Sequence, residues 1–224
     1  MAVADVDEYG IPIIADPVNA SERKRAAIVE AASAEFLREG YSASSMDEIA
    51  RRAGVSKPTI YNHFGNKERL FLAVIGGALT KVYAGVDPRK VKLTRAPHLR
   101  AALIDFMSAW TRRVLREDFA ALRRLVIAEV GRFPQLGRFW YRITHDMMDS
   151  NLVEAFAELH ERGVLDVPDP KRAMRQLIGL TLSGPQLLQT FMPDFEIVDA
   201  EIEATIADGV DVFLSHYARP RQTG

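Results

Sequence analysis

Residues 44–67 read SSMDEIARRAGVSKPTIYNHFGNK and predict two short helices joined by a tight turn. Ser45 followed three residues later by Glu48 is the pattern of a reciprocal capping box at a helix start. Gly54 stands where the first helix has to end, because glycine adopts the left-handed conformation at little cost. Ser56 is placed to cap the second helix. The stretch therefore predicts a helix-turn-helix, and the other parts of the chain are interpreted around it.

The second predicted helix carries a polar and aromatic outer face. Ile60 and Phe64 are four residues apart and are expected to face the core, whereas Pro58 is tolerated in a first helical turn. The segment 57–63 is about 10 Å long, which suits a DNA major groove about 12 Å wide. We expect five side chains to point away from the core: Lys57, Thr59, Tyr61, Asn62 and His63.

The chemistry of that face fits DNA contacts. Lys57 can donate to guanine O6 and N7, while Thr59 and Pro58 suit a base edge or a thymine methyl group. We expect phosphate contacts from Tyr61, Asn62, His63 and Lys67, and we include Ser45 among the predicted DNA-binding residues. Asn66 is expected to cap the following helix. The alternative interpretation is a compact three-helix corner whose polar face is simply solvated.

Residues 21–70 resemble the DNA-binding domain of the tetracycline-repressor (TetR) family of bacterial regulators. The resemblance is carried by FLREGY at 36–41, SMDEIARRAGVS at 45–56 and KPTIYNHFGNKERL at 57–70. It implies that the helix over 57–64 enters the major groove and that Lys67 binds phosphate. It also implies an all-helical second domain whose last two long helices form a four-helix dimer interface.

Composition sets wide limits on the class of protein. The chain has 224 residues, of which 48% are hydrophobic and 26% are charged, as in an ordinary folded protein. The absence of cysteine excludes a disulfide framework and a thiolate metal site. No apolar run approaches a membrane span and no export signal is visible. We therefore expect a cytoplasmic protein without a membrane partner.

Charge is spread unevenly along the chain. The formal net charge is −1, and residues 21–70 hold nine basic against seven acidic side chains. DNA affinity must then depend on where individual donors lie rather than on bulk charge. The acidic residues 135–224 are compatible with a half that faces away from DNA, and equally with an unevenly charged solvated surface.

The predicted organisation has three parts: a mobile tail at 1–20, a helix-turn-helix domain at 21–66, and an effector-binding and dimerisation domain at 67–224. We expect the first helix to open at Ser21 and to end at Gly40. The broad apolar stripe of a fourth helix over 70–82 predicts burial on two sides, which would link the two domains mechanically.

The remaining sequence has helical periodicity throughout, so the predicted fold class is all-α. We expect helices over 97–116, 118–130, 134–160, 170–191 and 196–218, with Gly184-Pro185 kinking or splitting the fourth of these. The segment FPQLGRFWYR at 133–142 resembles a stretch in TetR proteins with AefR-like C-terminal domains.

No pattern in the chain predicts catalysis. It lacks a nucleophile elbow, a phosphate-cradling glycine loop and an HExxH motif, and its five histidines have no spacing suited to a metal pair. We therefore predict no catalytic residue, no metal, no cofactor and no enzymatic activity.

Large rings and flexible sulfur side chains in the second domain are candidates for a ligand pocket, although such residues usually form plain core. The predicted ligand-binding residues are Phe106, Met107, Trp110, Phe139, Trp140, Met147 and Gln186.

These observations predict a homodimeric, sequence-specific regulator of transcription that binds a palindromic operator in double-stranded DNA. We expect a repressor that an apolar or amphipathic small molecule releases. Two alternatives stay open: an effector-independent DNA-binding regulator, or a helical protein-interaction module whose helix-turn-helix is only structural.

Overall fold

The computed structural model describes residue 12 and residues 19–83, 93–148 and 152–219, except for the side chains of 80–83 and 144–148. Within those ranges the regular elements are helices, joined by turns, and an isolated antiparallel bridge pairs Leu165 with Ala218. The all-α prediction is confirmed. The predicted tail at 1–20 lies almost wholly outside the described residues. The helices are α1 (Ala20–Ala43), α2 (Met46–Ala53), α3 (Lys57–Phe64), α4 (Lys67–Tyr83), a short 3-10 turn (Leu93–Arg95), α5 (Leu99–Val114), α6 (Glu117–Glu129), α7 (Pro134–Met148), α8 (Glu154–Glu161), α9 (Pro170–Thr181), α10 (Ser183–Phe191) and α11 (Asp199–Tyr217).

The chain forms two compact units. The first contains Met1–Tyr83 and Ala121–Ile143, and the second contains Ala84–Ala120 and Thr144–Gly224. The first unit thus includes α4 and a stretch near the middle of the chain, both of which the sequence analysis assigned to the C-terminal domain. The predicted boundary at 66/67 divides the chain by function, and it stays a prediction.

Helix α1 begins with a complete capping box that precedes its apolar face. The Asn19 side chain accepts from the Glu22 N–H at 3.0 Å, and the Asn19 N–H donates to the Glu22 carboxylate at 3.3 Å, which is a complete capping box. The helix therefore opens slightly earlier than the predicted Ser21. Gly40 interrupts it with a φ of 72°, as expected, and a last turn follows at 41–43.

The core of the first unit centres on α1 and α4. Every residue of α4 from Leu70 to Ile75 is buried, which agrees with the predicted two-row stripe. Phe71 joins an aromatic cluster made of Phe36, Tyr41, Phe71 and Phe133. The centroid of the Phe71 ring lies 5.0 Å from those of Phe36 and Tyr41 and 5.6 Å from that of Phe133. The ring centroids of Tyr41 and Phe133 are 4.9 Å apart. Edge-on contacts of this kind add to the apolar burial of large rings.

The second unit is built around α11, which packs against α9 and α5. Gly209 on α11 lies so close to α9 that a Cβ there would stand 2.8 Å from the Leu180 carbonyl oxygen. Bidentate hydrogen bonds of 2.6 and 2.8 Å from Arg100 to Asp211 join α5 to α11 at the surface. Phe156 of α8 stacks on Phe213 of α11 with centroids 5.2 Å apart.

Two long helices were predicted in this half of the chain. Of the one predicted over 134–160, α7 is described as far as Met148 and the helical run is described again from Leu152 into α8. Residues 149–151 lie outside the described residues, so the continuity of this helix stays a prediction. The helix predicted over 170–191 is split as expected, although the break falls at Leu182, just before Gly184-Pro185.

Candidate DNA-binding site

The first helix of the motif, α2, is fixed at its start by two side chains. Ser45 caps it by accepting from the Glu48 N–H at 3.4 Å. The predicted reciprocal half of the capping box is wrong, because the Ser45 N–H donates instead to the Glu35 carboxylate at 3.1 Å. The start of α2 is therefore tied to α1.

The Glu48 side chain serves its own helix. It accepts from Arg51 at 2.8 and 2.6 Å and from Arg52 at 2.7 Å. The hydrogen bonds from these two guanidinium groups lower the pKa of Glu48 to about 2. Glu48 is thereby unable to complete the capping box, and part of the basic charge of α2 is neutralised.

The turn between α2 and α3 has the predicted geometry. Gly54 adopts the left-handed conformation with φ 65° and ψ 33°, and its N–H donates to the Arg51 carbonyl at 3.3 Å. Ser56 caps α3 by accepting from the Thr59 N–H at 3.4 Å, and Pro58 occupies the first turn. These predictions are confirmed residue by residue.

Helix α3 presents a smaller outer face than predicted. Ile60 and Phe64 are buried, whereas Pro58, Tyr61 and Asn62 are exposed. The expectation that His63 points away from the core is wrong, because only 5% of this residue is exposed. His63 lies three residues after Ile60, on the same helical face.

The burial of His63 changes its chemistry. Burial, followed by the positive charges of Arg25 and Lys24, lowers the pKa of His63 below its ordinary value. The imidazole is therefore held neutral near pH 7, which makes it a weaker phosphate donor than the sequence analysis assumed.

The two remaining base-contact candidates on α3 have partners at the surface. The Lys57 ammonium donates to the Asp47 carboxylate at 2.9 Å. The Thr59 and Ser56 hydroxyl oxygens are 2.8 Å apart and share a hydrogen bond. Both side chains thus start from a defined position close to the N-terminus of α3.

Lys67 has a structural role that the sequence did not indicate. Its ammonium donates to the Ser44 carbonyl at 2.6 Å and to the Ser42 carbonyl at 3.3 Å. It also lies 5.0 Å from the centre of the Tyr41 ring, and the Arg132 guanidinium lies 4.7 Å from the same centre. Burial and the nearby Arg132 charge lower the pKa of Lys67. Its predicted phosphate contact stays a prediction, and its substitution also removes a brace of the α1–α2 turn.

The predicted cap of α4 is confirmed: the Asn66 side chain accepts from the Arg69 N–H at 2.8 Å. Glu35, which is only 2% exposed, was not among the predicted site residues. Although burial opposes ionisation, hydrogen bonds from the Ser45 N–H and Arg38 lower the pKa of Glu35. Its position seven residues after Ile28, on the apolar face of α1, was the available signal.

The structure describes most of the predicted ligand-binding residues, and none of them lines either of the two cavities described below. Phe106, Met107 and Trp110 are buried side by side on α5, Phe139 is buried, and Trp140 and Gln186 are partly exposed. The side chain of Met147 lies outside the described residues. The ligand pocket therefore stays a prediction.

Two described cavities lie in the second unit and are lined by other residues. One has a volume of about 290 Å³ and lies between Arg112, Gln189 and Phe195. The other, of about 420 Å³, is a shallow apolar cleft between α9 and α11. Among the described residues, no group of three or more His, Asp or Glu side chains is arranged to hold a metal ion. No described helix has the length and apolar content needed to cross a membrane.

Comparison with known proteins agrees with this geometry. A family model described as "Bacterial regulatory proteins, tetR family" matches residues 28–74. A second, described as "AefR-like transcriptional repressor, C-terminal domain", matches residues 101–219, more than half of the chain. A solved structure of a TetR-family transcriptional regulator from Mesorhizobium loti MAFF303099 is 34% identical, with a TM-score of 0.82, and the match covers 90% of this chain and 100% of that one.

Two further relatives carry functional names. The HTH-type transcriptional activator FasR of Mycolicibacterium smegmatis is 41% identical over 86 residues, which cover 38% of this chain and 39% of FasR. The aligned part thus spans about two fifths of that curated relative. The structure of the Flavonoid-responsive Regulator FrrA is 31% identical, with a TM-score of 0.72, and the match covers 89% of this chain and 98% of that one.

A capped helix-turn-helix within an all-α chain places the protein in the class of helix-turn-helix proteins. Within that class, the chain belongs to the tetR family of bacterial regulatory proteins and carries an AefR-like C-terminal domain.

Proposed function

We propose that this protein is a sequence-specific, DNA-binding regulator of transcription that acts in the cytoplasm as a homodimeric repressor. The observation that carries the proposal is the α2–turn–α3 geometry, with both helices capped and with Pro58, Tyr61 and Asn62 exposed on the outer face of α3. A recognition helix of this length fits the major groove. The relatives named above are regulators rather than enzymes, and we assign no catalytic step to the chain.

In this proposal the two ends of α3 have different tasks. Lys57, Pro58 and Thr59 at its N-terminus contact base edges, because the first residues of a recognition helix approach the groove floor. Tyr61 and Asn62 donate to phosphate and set the register of the helix. Lys67 and His63 contribute to this face mainly through structure. Lys67 stabilises the α1–α2 turn by its bond to the Ser44 carbonyl, and His63 is buried.

The test uses duplexes selected by the purified protein from a random-sequence library and scrambled duplexes of equal composition. We expect tight binding of the selected duplex, with a log–log salt slope of about −0.9 for each phosphate contacted. Thr59→Val should relax preference at one base pair, and Asn62→Ala should weaken binding of all sequences with little change in the slope, because a neutral amide releases no counterion. Binding that shows no sequence preference and no salt dependence would refute the proposal and favour a protein-interaction module.

The dimer is proposed to form through α9 and α11. These helices pack against each other through Gly209, and beside that contact they expose Leu180 and Val212 around the apolar cleft. An apolar face on two adjacent long helices suits a self-complementary interface. It also gives the protein two recognition helices, which a palindromic operator requires.

Val212→Asp tests the interface, because it places a charge on that face without disturbing a buried residue. We expect a monomer in sedimentation analysis and weaker operator binding. Ile127→Asp is the control, since Ile127 is equally exposed, at 52% against 53%, but lies on α6. An unchanged mass for Val212→Asp would exclude this dimer face.

The direction of regulation rests on two comparisons. The C-terminal family model is described as that of a transcriptional repressor, which supports repression. The similarity to FasR, named as an activator, makes activation the second candidate. A reporter under a promoter that overlaps the selected duplex should fall in activity when the protein is expressed; a rise would establish activation.

We also propose that an apolar or amphipathic small molecule releases the protein from DNA. The buried Phe106, Met107 and Trp110 of α5 supply ring and sulfur surface of the kind that apolar pockets use. The similar regulator FrrA is named as flavonoid-responsive, which supports an aromatic ligand. The ligand would act by favouring a conformation in which the two recognition helices no longer match the half-sites.

A flavonoid series added to the protein–DNA complex tests this idea by fluorescence anisotropy of the duplex and by tryptophan emission. We expect release together with a change in emission. Phe106→Ala should weaken the response, whereas Tyr141→Ala, which alters an exposed ring, should leave it unchanged. If this series and a fatty-acid series leave the complex intact, the protein is an effector-independent regulator with respect to both classes.

A further inference from the structure

Asp47 and Lys57 form a link between the first turns of the two motif helices. The Asp47 carboxylate lies 2.9 Å from the Lys57 ammonium, and their side chains are 73% and 43% exposed. Asp47 is the second residue of α2 and Lys57 is the first residue of α3. An acidic residue is favourable at a helix start, but Glu48 already supplies one there.

The position of Asp47 is unfavourable for DNA affinity alone. In a helix-turn-helix the first helix crosses the phosphate backbone, so a carboxylate in its first turn approaches negative charge. The other acid of that turn, Glu48, is neutralised by Arg51 and Arg52. Asp47 instead accepts from a side chain that is a candidate for base contact, and this hydrogen bond raises the pKa of Lys57.

We propose that Asp47 is a specificity-determining residue, whose carboxylate competes with DNA phosphate for the Lys57 ammonium and so lowers affinity for non-operator DNA more than for the operator. This inference rests on the proposed function.

The competition discriminates because the two kinds of DNA offer Lys57 different acceptors. The Lys57 ammonium has three N–H donors, so at a correct base pair it can donate to guanine O6 or N7 while it keeps its bond to Asp47. On a wrong sequence it can reach only phosphate, and for that it has to leave the carboxylate. The energy of the ion pair, which is small at an exposed site, is therefore lost on non-operator DNA and kept on the operator.

Asp47→Asn provides the test, because asparagine keeps the size of the side chain and is tolerated at a helix start. With the selected and scrambled duplexes, we expect affinity for the scrambled duplex to rise about threefold and affinity for the selected duplex to change less than about twofold. We also expect the salt slope on the scrambled duplex to steepen by about 0.9, since Lys57 gains a phosphate contact.

Two control variants separate the pair from general charge. Glu39→Gln removes one negative charge from an exposed residue of α1 that is paired with Arg38, and it should affect both duplexes alike. In a Lys57→Gln background, Asp47→Asn should lose its selective effect, because the competing ammonium is gone. Circular dichroism melts verify that each variant is folded.

The results separate this inference from the proposed function. If the wild-type protein does not distinguish the selected from the scrambled duplex, the proposed function fails. If it does, but Asp47→Asn alters both affinities equally, or acts in the same way without Lys57, then Asp47 is not a specificity residue.

Discussion

The helix-turn-helix and the second unit are held together at different sequence distances. In residues 44–67, the capping bonds span three residues and the ion pair of Lys57 with Asp47 spans ten. In the second unit, Arg112 pairs with Glu203 and Arg100 with Asp211, at separations of 91 and 111 residues. The helix ends of the motif are thus specified by short-range chemistry, whereas these surface pairs of the second unit depend on which distant helices meet.

The largest expected effect tests whether the helix-turn-helix also depends on a residue far along the chain. Phe133→Ala removes a buried ring from the aromatic cluster, far along the chain from the motif, and should destabilise the first unit by about 3–5 kcal/mol. Hydrogen exchange should accelerate at the amides of α2 and α3. Ile127→Ala, at an exposed position on α6, is the control and should have little effect. Unchanged protection of α2 would mean that the motif is locally stable by itself.

The next effect concerns a contact between α1 and α2. Glu35→Gln removes a buried charge that accepts from the Ser45 N–H and from Arg38, at an expected cost of about 1.5–3 kcal/mol. Chemical denaturation monitored by circular dichroism measures the loss. Glu39→Gln, which alters an exposed pair with the same arginine, should cost little. Equal costs for the two variants would contradict the special role of Glu35.

Two glycine substitutions in the second unit test how closely α9 and α11 approach. Gly209→Ala forces a Cβ to within 2.8 Å of the Leu180 carbonyl oxygen and should destabilise the second unit by about 1–3 kcal/mol. In the Val212→Asp background, which removes the proposed dimer contact at the cleft that Gly179 lines, Gly179→Ala on α9 meets open space and should stabilise the helix slightly, because alanine is the better helix former. Thermal melts should therefore shift in opposite directions, and shifts of the same sign would contradict the close approach.

The smallest effect is a pH dependence that His63 gives to the first unit. Its pKa is lowered in the folded state, so the unfolded chain binds the proton more readily. The free energy of unfolding should therefore fall as pH drops below about 6.5, until the lower folded pKa is reached. His63→Gln should flatten this pH dependence, whereas His98→Gln, at an exposed position, should preserve it. A flat profile in the wild-type protein would contradict the assignment.

The same difference in sequence distance explains what the sequence predicted. Ser56, Gly54 and Asn66 act through bonds to residues three or four positions away, so their roles followed from spacing. Glu35 and Lys67 act at separations of 10 and 23 residues, which spacing does not reveal.

The exposure of His63 was also mispredicted. The error came from giving every polar residue of α3 to its outer face, although His63 follows the buried Ile60 by three positions. The ligand-binding residues could not be decided, because buried rings have the same periodicity in a pocket wall and in a plain core.

The position of Phe133 has a consequence for protein engineering. A chimaera of two such regulators joins the DNA-binding region of one protein to the C-terminal domain of another. A junction placed after α4 would leave Tyr41 and Phe71 without the ring that covers them. A chimaera that keeps Arg132 and Phe133 together with residues 19–83 retains the ring that packs on Tyr41 and Phe71, and its DNA-binding region should fold as in the parent protein.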